Sequence, residues 1–167
     1  PVSIVASLAS SARNGVLIKG GAYVEAPSRL MALAMDKTGT ITMGEPEVAA
    51  LHPMDGIAKQ ELLSTAIALE ARSSHPLARA ILARGEQDDI RQAVASDTRT
   101  VPGRGVEGWM QDKPVWLGSD RFATEKGFGE AIPRDLLEQI ETAGSTMVVV
   151  GSGDRLLGVI ELRDRTR

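Results

Sequence analysis

Asp36 ends an apolar run with a charge, and the residues after it are the ones in this sequence whose types and spacing could do covalent chemistry. Leu30-Met31-Ala32-Leu33-Ala34-Met35 has the length and composition of a buried strand. That reading delivers the Asp36 carboxylate to the crevice at the strand's carboxyl end, where open α/β sheets hold their ligands. Asp36-Lys37-Thr38-Gly39-Thr40 suits a phosphoryl group. Lys37 brings positive charge, the threonines bring hydroxyl and backbone donors, and Gly39 lets the chain turn tightly against an anion. An aspartate so placed can attack phosphorus and hold it as an acyl phosphate. The plainer reading is an ordinary strand end with a glycine turn.

A second constellation lies in the middle of the chain. Glu70 and His75 stand five apart in Leu69-Glu-Ala-Arg-Ser-Ser-His-Pro-Leu77, at the junction of two expected helices, a spacing that also occurs without any ligand role. Gly103-Arg-Gly-Val-Glu-Gly108 reproduces the GxGxxG string of dinucleotide-binding folds. That fingerprint must open a helix, whereas Val106 to Met110 reads as strand, so the glycines mark a hairpin turn instead. Gly118-Ser119, Gly144-Ser145-Thr146 and Asp164-Arg-Thr-Arg167 are weaker signals, each equally at home in a turn or a solvated charge cluster.

These groups need elements to hold them. Ile4, Val5, Leu8 and Ala12 fall at helical spacing up to Asn14-Gly15, Val16-Leu17-Ile18 reads as a short strand, and 22–29 as a short helix broken near Pro27. Met43-Gly-Glu-Pro46 is hinge-like, and Val48 to Leu51 is a strand stopped by Pro53. Leu62, Leu63, Ala66, Ile67 and Leu69 predict a helix over 59–72, and Pro76 opens a second one to about Arg84. Strands are expected at 93–94, 98–101, 106–110 and 115–117. A helix after Gly118, another over 134–143, and strands at 146–150 and 156–162 follow, the last with imperfect alternation. The resulting class is α/β plus α+β.

Bulk properties narrow the field of partners. The chain has 167 residues, 43% apolar and 25% charged, and its net charge of −3 leaves no electrostatic footprint for nucleic acid. With no cysteine and two histidines it offers little for a transition metal. No apolar run approaches the ~18 residues needed to cross a bilayer. The start at Pro1 without Met and the stop at Arg167 read as a piece of something longer.

The string Asp36-Lys-Thr-Gly-Thr40 resembles the phosphorylation signature of the P-type ATPases, and other matches follow in family order. His75-Pro-Leu77 with Glu70 upstream is similar to the nucleotide motif of metal-transporting pumps, although Ser74 stands where Glu is common. The resemblance implies that His75 lies against adenine, that Glu70 bonds the adenine edge, and that Gly103, Gly105 and Gly118 let ATP approach the backbone. Ser119 and Ser145 depart from the Asn and Lys of that pattern. It further implies Asp36, Lys37 and Thr38 as the catalytic group, with Mg²⁺ held by Asp36 and the Thr38 carbonyl, and with Asp164 at a hinge. The remaining Mg²⁺ ligands come, in that family, from a Gly-Asp-Gly-x-Asn-Asp segment not found in this sequence.

By the same resemblance, residues 1–44 and 157–167 form parts of a haloacid-dehalogenase-like phosphorylation domain. Residues 45–156 form an inserted antiparallel-sheet nucleotide-binding domain flanked by helices. The expected activity is that of an ATP-driven metal cation export pump, of which this would be a cytoplasmic loop, with ATP and Mg²⁺ as cofactors. Its partners are the membrane and actuator domains of the same pump, and the transported metal does not bind here. Gly15-Val-Leu-Ile-Lys-Gly-Gly21 looks more like the zinc/cadmium/cobalt/lead subgroup than the copper one. On its own the segment is expected to bind ATP with little turnover.

The rival is a soluble phosphatase of the same fold. Such enzymes place a second Asp two positions after the nucleophile, as the acid that protonates the leaving group and then activates water. Thr38 stands there instead. A noncatalytic nucleotide-binding module is the third reading, and it leaves the residues around Asp36 without a purpose.

Overall fold

Helical spacing at the start of the chain is realised as α1, Val2–Arg13, and α2, Gly21–Glu25, runs on into a 3₁₀ turn over Ala26–Arg29, with Pro27 at its start. The structure is a computed structural model describing residues 2–36, 40, 42–90 and 94–166, the last by its backbone alone. Its contacts gather into two compact units, Pro1–Asp36 and Lys37–Arg167. In the first, α2 meets α1 at Gly21, where any side chain would run into Ile4. None of residues 2–36 is buried.

Two expected strands are not formed there. Val16 to Ile18 and Leu30 to Met35 carry no strand pairing, and Met31 is fully exposed. The physical reason is the lack of a neighbour. Every strand among the described residues belongs to the sheet of the second unit, and a lone strand leaves its N–H and C=O groups unmet.

In the second unit, alternating apolar residues build one six-stranded antiparallel sheet. Its strands are β1 (Thr42–Pro53), β2 (Ser96–Val101), β3 (Gly105–Met110), β4 (Lys113–Gly118), β5 (Thr146–Ser152) and β6 (Arg155–Thr166), in the spatial order β1-β6-β5-β4-β3-β2. Between β1 and β2 run α3 (Lys59–Glu70) and α4 (Pro76–Gln87); between β4 and β5 run α5 (Asp120–Glu125) and α6 (Arg134–Thr142). β3 and β4 join through Gln111 and Asp112, both at positive φ (50° and 61°), the geometry whose twist matches a two-residue hairpin. Val94, expected in a strand, lies outside regular structure, and Ala93 falls outside the described residues.

Each face of the sheet has its own core. Val115, Leu117, Val148, Val150, Ile160 and Leu162 pack beneath α3 and α4, whereas Trp116, Val149 and Val159 pack with Phe122 and Ile140 of α5 and α6. Trp116 anchors that second core, edge-on to Phe122 and stacked on Phe128. α3 buries seven of its twelve residues, among them the unbroken run Thr65–Leu69, so past its exposed first turn it is enclosed on most sides rather than along a single stripe.

The imperfect alternation of 156–162 has a definite cause. Val150 pairs with Gly158 and Gly151 with Leu156, so Leu157 is an extra residue that shifts the phase of the strand. Leu156 and Val159 therefore face one core while Leu157, Ile160 and Leu162 face the other.

Candidate functional site

Five of the residues singled out in the sequence come together around one cleft on the α3/α4 side of the sheet. Glu70, His75, Gly103, Gly105 and Gly118 all line it, and its volume is about 630 Å³. Apolar side chains including Leu77, Ile81, Val106 and Leu117 also line it, and Arg72, Ser73, Ser74, Thr98, Thr100 and Arg104 add polar groups. That mixture is characteristic of small-ligand clefts: apolar surface with a few placed polar atoms.

Local chemistry fixes the histidine. His75 is the N-cap of α4, and the Leu77 N–H donates to its Nδ1 at 3.2 Å, with Pro76 occupying the first turn. An accepting Nδ1 leaves the hydrogen of the neutral ring on Nε2. The His75 N–H is met by Ser73 Oγ at 3.3 Å, which ties the junction between α3 and α4. Glu70 is the last residue of α3, half-buried, with its backbone carbonyl accepting from Ser73 N–H at 2.9 Å. Together the helix junction offers the cleft an aromatic face with a donor and a carboxylate acceptor.

The glycines opposite serve distinct purposes. Gly103 sits at φ +69° with open space where a Cβ would stand, so it is a turn glycine that leaves its backbone bare. Gly105 and Gly118 pair across β3 and β4, and a Cβ on Gly105 would meet the Leu117 carbonyl oxygen at 2.0 Å. A Cβ on Gly118 would meet the Arg104 carbonyl oxygen at 2.5 Å. The GxGxxG string is indeed strand from Gly105 onward, not the start of a helix.

Ser119 takes a structural part. It caps α5, accepting from the Phe122 N–H at 3.3 Å, while its own N–H donates to the Arg104 carbonyl at 2.9 Å. Ser145 Oγ donates to Glu161 Oε1 at 2.7 Å and accepts from Arg163 Nε at 3.3 Å. Glu161 is itself buried in the sheet and also meets His52 Nε2 at 3.3 Å and Arg163 Nη2 at 3.0 Å. The Ser145 hydrogen bond above all, then His52 and Arg163, hold its carboxyl below the usual carboxylate range, against the opposing effect of burial. None of these four was singled out as a group in the sequence, because His52 of β1 lies 109 residues before Glu161 and Ser145 reaches it only through the pairing of β5 with β6.

Asp36 is exposed and ends the first unit; Lys37 and Thr38 lie outside the described residues. An exposed carboxylate is the hard oxygen donor that Mg²⁺ takes, so Asp36 fits the role expected of it. Among the described residues no three carboxylate, histidine or cysteine side chains gather into a metal centre. Asp164 lies on β6 opposite Pro46, and its Oδ2 accepts from Thr42 Oγ1, which ties the beginning of β1 to the end of β6. No helix among the described residues is long and apolar enough to cross a membrane.

Residues 30–167 match the haloacid dehalogenase-like hydrolase family. Over its whole length the chain is 40% identical to the zinc/cadmium/lead-transporting P-type ATPase of Escherichia coli strain K12, of which it spans 22%. It is 36% identical to a probable cadmium-transporting ATPase of Staphylococcus aureus strain MRSA252, of which it spans 24%. A crystal structure of a zinc-transporting PIB-type ATPase in the E2.Pi state covers 98% of this chain at 38% identity, with a TM-score of 0.76, and the match takes up 26% of that structure's chain.

Proposed function

Because the chain belongs to the haloacid dehalogenase-like hydrolases and is similar along its full length to metal-transporting P-type ATPases, we propose that it is the ATP-binding and phosphorylation segment of a heavy-metal cation pump. The observation that carries this reading is the convergence of Glu70, His75, Gly103, Gly105 and Gly118 on one cleft of mononucleotide size. The adenine lies against the His75 ring, with its amino edge toward Glu70 and its phosphates running past the bare backbone at Gly103 and Gly105.

In the chemical step a carboxylate oxygen of Asp36 forms a bond to the γ-phosphorus as the bond to the β–γ bridging oxygen breaks, and ADP departs. Asp36 and the Thr38 carbonyl would hold Mg²⁺, which would supply positive charge to screen the carboxylate from the phosphate. Lys37 adds positive charge beside the transferring group. With threonine rather than a second aspartate at position 38, no side chain there activates water, and the aspartyl phosphate persists. Persistence is what a pump needs to couple phosphorylation to a conformational cycle.

The domain plan follows. Residues 1–44 contribute to a phosphorylation domain and 45–156 form the nucleotide domain, whose sheet β6 carries on past 157, so the chain returns to the phosphorylation domain near Asp164 rather than at 157. The exposed run Leu30 to Met35 is the edge at which the remaining phosphorylation-domain strands pair. Asp164 and Thr42 stand where the two chain crossings meet and serve as the hinge. The transported ion is of the zinc, cadmium, cobalt and lead group, and the pump lies in a membrane with this segment in the cytoplasm.

Calorimetric titration of the 167-residue chain with ATP tests the nucleotide site. Binding is expected, weakened about tenfold by His75→Ala, through loss of both the ring face and the helix cap. No binding, or binding indifferent to that change, would overturn the site. In the intact pump, Mg²⁺-dependent labelling from γ-labelled ATP should vanish in Asp36→Asn, whereas rapid hydrolysis of small phosphate esters by this chain would point to the phosphatase.

A further inference from the structure

We propose that Glu125 is a positioning residue for the nucleotide cleft, acting through Arg104 to hold the Gly103–Gly105 turn. This rests on reading the cleft as a nucleotide site. Arg104 lines the cleft between the two glycines, and its Nε lies 2.7 Å from Glu125 Oε1 and 2.8 Å from Oε2. Glu125 is the last residue of α5 and does not line the cleft.

The turn is thereby fastened to both ends of one short helix. At the N-terminal end, the Ser119 N–H donates to the Arg104 carbonyl at 2.9 Å, and Ser119 caps α5. At the C-terminal end, the Arg104 side chain meets Glu125. The turn's other restraints are those of the backbone: the Arg104 N–H donates to the Val101 carbonyl at 3.0 Å and Gly105 pairs with Val101 and Gly118, whereas Gly103 has open space where a side chain would pack. A backbone loop that must meet a ligand with its own N–H groups gains from such fixing, because the ordering cost is met before binding.

Neighbouring charges leave Arg104 as the main partner of Glu125. Arg121 approaches Glu125 Oε1 only at 3.6 Å, from a side chain that is 70% exposed. Lys126, the residue that follows α5, is engaged instead by Glu107 Oε2 at 2.8 Å. The ion pair also neutralises a cation that would otherwise face the cleft. Freeing Arg104 would add positive charge beside an anionic ligand, so positioning and simple electrostatics predict opposite signs for the loss of Glu125.

The test is ATP titration of the 167-residue chain carrying Glu125→Gln, Arg104→Gln, both changes, or the exchange Arg104→Glu with Glu125→Arg. Each single change should weaken ATP binding about three- to fivefold, the scale of a half-exposed ion pair. The double change should be no worse than either single one, as members of one pair are not additive. The exchange should recover most of the affinity. Amide NMR of Glu125→Gln should show shifts at Gly103, Gly105 and Ser119, with the thermal midpoint little changed, and Arg121→Gln should show neither effect. Affinity within twofold of the parent, tighter binding, additive losses or no recovery on exchange would each overturn the proposal while the parent still binds ATP. A parent chain that binds no ATP overturns the cleft reading itself, and this proposal with it.

Discussion

Two apolar runs of similar length, Leu30 to Met35 and Leu156 to Leu162, have opposite fates in this chain. Leu157, Ile160 and Leu162 are buried to within 1% of full enclosure, whereas Leu33 is 67% exposed. Apolar content does not explain the difference, since the enclosed run is the one that contains Gly158 and Glu161. β6 lies between β1 and β5 and is covered on both faces by helices, so its backbone groups are paired and its side chains enclosed. The earlier run has no strand beside it among the described residues. An apolar run becomes a strand only where something pairs with it, and the unit holding the cleft supplies that pairing from within itself.

The largest expected effect tests that contrast directly. Ile160→Ala should destabilise the chain by about 2–5 kcal/mol, through lost burial and the cavity left behind. Leu33→Ala, in an exposed side chain, should stay within about 0.5 kcal/mol. Urea denaturation followed by tryptophan fluorescence reads the sheet unit, because Trp109 and Trp116 both belong to it. Equal losses from the two substitutions would mean that the first run is enclosed in solution after all.

The same contrast explains what could be read in the sequence. Helices α3 and α4 were legible because apolar spacing and Pro76 at the helix start act within a few residues of one another. The cleft was legible through glycines and a Glu–His spacing, but only resemblance assigned them to a common site; nothing local brings residue 70 to residue 105. Three features were not legible for the same physical reason, namely dependence on partners distant in sequence. The bulge at Leu157 needs β5 opposite it, the Glu161 network needs β1, and the exposure of Leu30 to Met35 depends on which strands are beside it.

A smaller effect separates the glycines of the cleft. Gly105→Ala forces a methyl into the Leu117 carbonyl, so β3 and β4 must part, at a cost of about 1–3 kcal/mol. ATP binding should be lost along with that register. Gly103→Ala meets no atom and suffers only from its positive φ, about 1 kcal/mol, so ATP binding should be reduced rather than abolished. Equal effects on stability would show that the strand approach seen at Gly105 relaxes freely.

The smallest effect concerns acid. The Glu161 carboxyl is held below its ordinary range, chiefly by Ser145 and also by His52 and Arg163, so the folded state binds its proton less readily than the unfolded chain does. Its contribution is therefore complete above the ordinary carboxylate pKa of about 4.5 and is lost as the pH falls through the lowered folded value. Glu107, held down by Lys126 and Arg99, acts in the same direction from β3, where its side chain is one-quarter exposed and more screened. Glu161→Gln should lower stability near neutrality by about 1 kcal/mol and flatten its fall between about pH 5 and pH 3. Glu107→Gln should flatten it less. Both changes act within the sheet unit, so Trp116 fluorescence should follow them while the exposed Tyr23 of the first unit reports no matching transition. An acid limb that survives both substitutions would place the titrating carboxyls elsewhere and remove this difference between the two units.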